Sequence, residues 1–220
     1  SYLADARDLF YSESVLFQTI SLLDAGLESA DEAIEKNENF APAYNVRGEI
    51  YLFQAQTYVT MPDLGVTSHT FADAIEAFEE ALSLRPNYTS VLINLGRALT
   101  ETGQVGRGIG HLREAIQEER EAPEARAILA MAYLEQERPQ QALEESQSVL
   151  AMDPDNYRAL LTAGAVEFIY RNNMGSAIDY FTKASRAEPG RAEAYLHLGN
   201  VFFQMESWYR ARDRYIEALN

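Results

Sequence analysis

The stretch with the most chemical promise is Gly103-Gln104-Val105-Gly106-Arg107-Gly108-Ile109-Gly110, four glycines in eight residues. Glycine at that density lets a backbone close on a phosphate. A phosphate cradle, however, needs a strand before the glycines and a helix after them. Here a helical pattern precedes, and no Gly-Lys-Ser or Gly-Lys-Thr follows. The stretch reads as a turn leading into a helix weakened by its glycines, so no nucleotide cofactor is expected. The three histidines, His69, His111 and His197, are too far apart for two of them to share a helix face as a helical zinc site requires. The absence of cysteine removes thiolate metal sites, disulfides and a cysteine nucleophile. Among 34 acidic residues, carboxylate pairs arise by chance and none stands out as an acid–base pair. No serine sits in a nucleophile motif. The chain is expected to have no catalytic residues, no metal and no cofactor.

Composition narrows the partners. The formal net charge of −16 disfavours nucleic acid, which is held by a basic face that displaces counterions, and disfavours anionic membranes for the same reason. It fits a soluble, self-repelling surface or attraction to a basic partner. Hydrophobic residues make up 47% of the chain, enough for a sizeable core. No apolar run reaches the roughly 18 residues that span a bilayer, and Ser1-Tyr2-Leu3-Ala4-Asp5 does not open a signal peptide. The lack of cysteine fits a reducing cytoplasm and a cysteine-poor exported or periplasmic protein equally well.

The elements that would position any site are set by a repeat. Ala74, Gly108, Ala142, Ala177 and Ala211 recur at intervals of 34, 34, 35 and 34 residues. Ala81, Ala115, Val149, Ala184 and Ala218 repeat the interval, as do Pro86, Pro154 and Pro189, with Arg120 in the remaining slot. A fixed period of this length marks a solenoid whose units bury their apolar faces on their neighbours. A second set, Gly48, Gly96, Ala130, Gly164 and Gly199, is spaced 48, 34, 34 and 35, so one unit carries about 14 extra residues within 57–70 and another a single extra residue near Asn172-Asn173. Each unit reads as two amphipathic helices. Ala125, Leu129, Ala132 and Tyr133 share one face; Ala142, Leu143, Ser146, Val149 and Leu150 share another. Prolines after the second helices and Gly103, Glu137-Arg138-Pro139 and Asn172-Asn173 within units supply the breaks.

These residues resemble the tetratricopeptide repeat family. Tyr195-Leu196-His197-Leu198-Gly199, then Phe202, Ala211, Tyr215 and Ala218, stand where that family places its aromatics, its Leu-Gly pair and its small–large–small second helix; Asn94-Leu95-Gly96 and Ala74–Leu82 match too. The resemblance implies an all-α, right-handed superhelical solenoid of antiparallel helix pairs. It would form one domain over 1–220, with units at about 7–40 (degenerate), 41–88 (with the insertion), 89–122, 123–156, 157–191 and 192–220. Tyr195 and Tyr215 are expected to fill space between adjacent units. The first helices of this family line a concave groove, which implies a partner site formed by Asn45, Glu49, Leu52, Phe53, Ile93, Asn94, Arg97, Glu101, Ala127, Met131, Leu134, Arg158, Leu161, Phe168, Leu196, Asn200 and Phe203. The groove lacks the lysines of the subfamily that clamps chaperone carboxylates. It suits a protein or peptide partner that is apolar or basic, such as an amphipathic helix. The expected function is a non-enzymatic interaction scaffold. The alternatives are a regulatory or substrate-presenting segment of a larger enzyme or export machine, and a self-assembling scaffold forming homo-oligomers. The chain closes as a second helix finishes, with no polar capping helix, so a longer parent is expected.

Overall fold

The computed structural model describes residues 21–60 and 70–219, apart from the side chains of 57–60, and the chain clusters into two compact units, Ser1–Thr102 and Gly103–Asn220. The described residues are helical throughout, with no strand. The first unit holds α1 (21–36), α2 (Ala41–Thr60), α3 (Phe71–Leu84) and α4 (Thr89–Glu101). The second holds α5 (Val105–Glu118), α6 (Pro123–Glu135), α7 (Pro139–Met152), α8 (Tyr157–Ile169), α9 (Met174–Ala187), α10 (Ala192–Gln204) and α11 (Trp208–Glu217). Phe10, Ser14 and Phe17 of the degenerate unit lie outside the described residues, as do His69 and most of the inserted segment; Gly26, Ala30 and Ala33 lie on α1.

Local chemistry explains where helices start and stop. Thr70 and Asp73 form a reciprocal capping box that opens α3. Asn156 and Asn173 cap α8 and α9 by accepting from Ala159 N and Ser176 N, each at 3.2 Å. Pro123 and Pro139 are the first residues of α6 and α7, where no donor is lost. The turns before α5, α7, α9 and α11 each contain one residue in the left-handed region: Gly103 (φ 78°), Glu137 (55°), Asn172 (51°) and Glu206 (56°). Side chains are tolerated there at a cost. The extra residue of the fifth pair falls in the third of these turns. Beside it Glu167 is buried, taking hydrogen bonds from Asn173 Nδ2 (2.9 Å) and the Arg171 guanidinium (3.0 Å).

Core packing uses the small residues of the repeat. A methyl added at Gly48 would lie 2.5 Å from Phe78 Cε1, and one at Gly164 would lie 2.6 Å from Phe181 Cε1. Gly199 meets the Tyr215 ring in the same way, so Tyr215 fills space inside its own helix pair rather than between pairs. In the fourth pair the same two slots hold Ala130 and Ser146, both fully buried: a smaller partner accompanies the added methyl. Gly106, Gly108 and Gly110 lie inside α5, and helix α4, not a strand, precedes them. In the second unit each helix packs on the next. In addition α6 touches α8 and α8 touches α10, whereas α5, α7, α9 and α11 do not touch one another among the described residues. The first helices thus form the closer-packed row and the second helices splay, which makes the α6–α8–α10 side the inner side of this unit.

Candidate functional site

Within the second unit, α6, α8 and α10 present residues at i, i+4 and i+7 in three tiers: Ala127, Leu161 and Leu196; Met131, Ala165 and Asn200; Leu134, Phe168 and Phe203. Neighbouring side chains treat these positions unequally. Ala127 and Ala165 are buried. Leu134, Leu161 and Phe168 are half-buried against the core cluster of Phe181, Leu198 and Val201. Met131, Leu196 and Phe203 are exposed, as is Ile169 beside them (38, 44, 56 and 63%). Phe203 meets Trp208 edge-on, with centroids 5.1 Å apart. Asn200 is engaged, its Oδ1 accepting from the Tyr215 hydroxyl at 2.8 Å. The result is a row of exposed apolar side chains on a unit whose fold does not cover them. Glu124 and Glu135 on α6 and Glu193 on α10 are exposed and give the row an acidic fringe.

Arg158 is half-buried at one edge of this row. It lines a cleft of about 340 Å³ with Glu124, Tyr157, Glu188 and Arg191. The Arg191 guanidinium sits 4.2 Å over the Tyr157 ring and pairs with Glu188 and Glu193. Burial, reinforced by the Glu193 carboxylate that accepts from it at 3.2 Å, pushes the Tyr157 hydroxyl up to about 12, so it stays a neutral donor. His197 stacks on Phe181 with centroids 4.8 Å apart, and burial holds its pKa below the usual value, opposed by Glu193. A lowered pKa keeps the imidazole neutral. His111 lies 3.2 Å from Glu114 on its own helix. Among the described residues no three metal-ligating side chains cluster.

The first unit places Asn45, Glu49, Leu52 and Phe53 on α2 and Ile93, Asn94, Arg97 and Glu101 on α4, two helices that touch. This face is polar. Glu49 Oε1 accepts from Asn45 Nδ2 (2.9 Å) and from Asn94 Nδ2 (3.0 Å), which joins the two helices. Gln56 Nε2 donates to both oxygens of Glu101 at 3.0 Å, a second tie between them. Leu52 and Ile93 are buried, Asn45 is 7% exposed, Arg97 is half-buried and Phe53 is exposed. Asn45 Oδ1 is buried without a hydrogen-bond partner. Gln56 and Trp208 were not legible as site residues: each is one of many polar or aromatic residues on an amphipathic helix until its cross-helix partner is known.

A family model described as tetratricopeptide repeat matches residues 66–132 and 107–164, and a second such model matches 162–219. Among curated proteins the chain is 25% identical over 152 residues to human protein O-mannosyl-transferase TMTC1, covering 68% of this chain and 17% of that protein. Among solved structures it is similar to YrrB, described as a TPR protein with an unusual peptide-binding site (TM-score 0.60, 23% identity, 81% of this chain and 84% of that one). It is also similar to the APC/C hetero-tetramer Cut9–Hcn1 (TM-score 0.75, 17% identity, 91% and 36%). The chain spans less than a third of the length of the curated relatives it matches. No described helix is long and apolar enough to cross a membrane.

Proposed function

The chain belongs to the tetratricopeptide repeat family, and from that premise we propose that it is a non-catalytic protein-binding module whose inner α6–α8–α10 face takes an apolar segment carrying basic residues. The observation that carries this reading is the exposure of Met131, Ile169, Leu196 and Phe203 together on the closer-packed helix row. Large apolar side chains left exposed on each helix of one row suit an interaction surface, and the exposed carboxylates of Glu124, Glu135 and Glu193 favour a cationic flank on the ligand. An amphipathic helix or an extended peptide meets both requirements.

Trp208, the chain's single tryptophan, reports on the site because it touches Phe203. Titration with a synthetic leucine–lysine amphipathic peptide is expected to shift its emission saturably. Leu196→Ser combined with Phe203→Ser should lower the affinity at least tenfold, measured by calorimetry, with helicity unchanged. Equal affinity in that variant would sink the reading. A second reading, a repeat segment that serves a larger enzyme or assembly, is favoured by the 17% span of the transferase it resembles; binding of the chain to the remainder of its own parent protein would distinguish it.

A further inference from the structure

We propose that two copies of the chain associate heterologously, the α9–α11 face of one receiving the α1 face of the other. Charge is distributed very unevenly. Residues 21–60 and 70–101 together carry twelve carboxylates and four cations, whereas residues 171–219 carry six carboxylates and seven cations. Residues 171–219, which hold α9, α10 and α11, are therefore the part of this acidic chain that does not repel an acidic surface.

The shape of the receiving face follows from the repeat. One pair earlier, Ile178 and Tyr180 of α9 pack among the residues that α10 covers. The same slots on α11 hold Arg212 and Arg214. Here Thr182, Leu198, Phe202, Arg210, Asp213 and Arg214 line a cleft of about 310 Å³. Arg212 and Arg214 pair with Asp213 and Glu217. Arg210 lies over the Phe202 ring and makes no ion pair among the described residues. Exposed Trp208, Tyr209, Ile216 and Leu219 add apolar area on α11 and just beyond it. A helix seated there must bring both apolar and negatively charged side chains.

Helix α1 has that composition. It carries five carboxylates against Lys36, a formal charge of −4, and Asp24, Glu28, Glu32 and Glu35 are exposed. Leu22 is 73% exposed, and Leu27 with the carboxylates lines a shallow cleft of about 440 Å³. Because the two faces differ, each copy offers one of each, and the contact is head-to-tail, not isologous. The overall charge opposes association, so the contact is weak, and the opposite charges of the two faces that hold it are screened by salt.

Sedimentation velocity of the full 220-residue chain tests this. The weight-average mass is expected to rise with concentration in low salt, with an association constant that falls by about tenfold or more in high salt. Arg210→Glu with Arg214→Glu, and separately Asp24→Lys with Glu28→Lys, should each leave a monomer. Mixed one to one, those two variants should associate again, because each keeps the face the other has lost and the two reversed faces are again opposite in charge. Circular dichroism checks folding, and Arg210→Gln with Asp24→Asn replace any variant that loses helicity. A wild type whose mass is independent of concentration, a one-face variant that still associates, or a mixture that stays monomeric would each overturn the proposal.

Discussion

Asn45, Glu49 and Asn94 in the first unit and Met131, Leu196 and Phe203 in the second are all on first helices of repeat pairs, yet their side chains meet unlike fates. In the first unit a carboxylate collects two amide donors and ties α2 to α4. In the second, large apolar side chains stand exposed on α6, α8 and α10 while their half-buried neighbours join the core. Beneath both faces the packing device is the same, a phenylalanine ring set against a glycine, Gly48 with Phe78 and Gly164 with Phe181. The repeat therefore fixes the scaffold and leaves the first-helix faces free to differ: tied by cross-helix hydrogen bonds in one unit, apolar and open in the other.

The largest expected effect probes what the units share. Gly48→Ala and Gly164→Ala should each destabilise by about 1–3 kcal/mol, since a methyl would press into a ring that close packing prevents from moving. Chemical denaturation checks this; a loss in only one unit would show that the common scaffold is not common. Next comes the polar face. Glu49→Ala should cost about 1–3 kcal/mol by leaving amide donors of Asn45 and Asn94 without their acceptor. If Glu49→Ala is silent while Leu196→Ser with Phe203→Ser is as damaging as the glycine substitutions, the contrast between a structural polar face and a spare apolar face fails. A spare face requires the double serine variant to change stability by less than about 0.5 kcal/mol, as surface substitutions do.

Backbone effects follow. Gly110→Ala should stabilise α5 by up to about 1 kcal/mol, because nothing lies within 4 Å of the added methyl and glycine is a poor helix residue. Glu206→Gly, at φ 56°, should stabilise by a similar or smaller amount. Thermal melts check both. The smallest expected effect is a pH dependence confined to the second unit. Burial lowers the His197 pKa from its usual 6.5, so below 6.5 the unfolded chain takes up a proton that the folded chain does not. The contribution of His197 is complete above pH 6.5 and is lost as pH falls through the folded value. His197→Gln should remove that slope from the difference between the two proteins, and retention of the slope would assign it elsewhere.

By itself the sequence determined the helix pairs. The 34-residue interval, the small residues at Gly48, Gly164 and Gly199, and the breaks at Gly103, Glu137 and Asn172 are properties of local spacing and local backbone preference. Tertiary structure decided which side chain meets each small residue, so Tyr215 faces Gly199 of its own pair. It also decided which inner positions are spent on the core and which remain exposed. Leu161, Phe168, Leu196 and Phe203 look alike in sequence; the first two lean into the Phe181 cluster and the last two do not. Likewise Glu49 with Asn94, and Gln56 with Glu101, became partners only when α2 and α4 came together across 45 residues of chain. The physical reason is range: helix periodicity acts over one or two turns, whereas exposure and cross-helix hydrogen bonding depend on side chains brought near by packing.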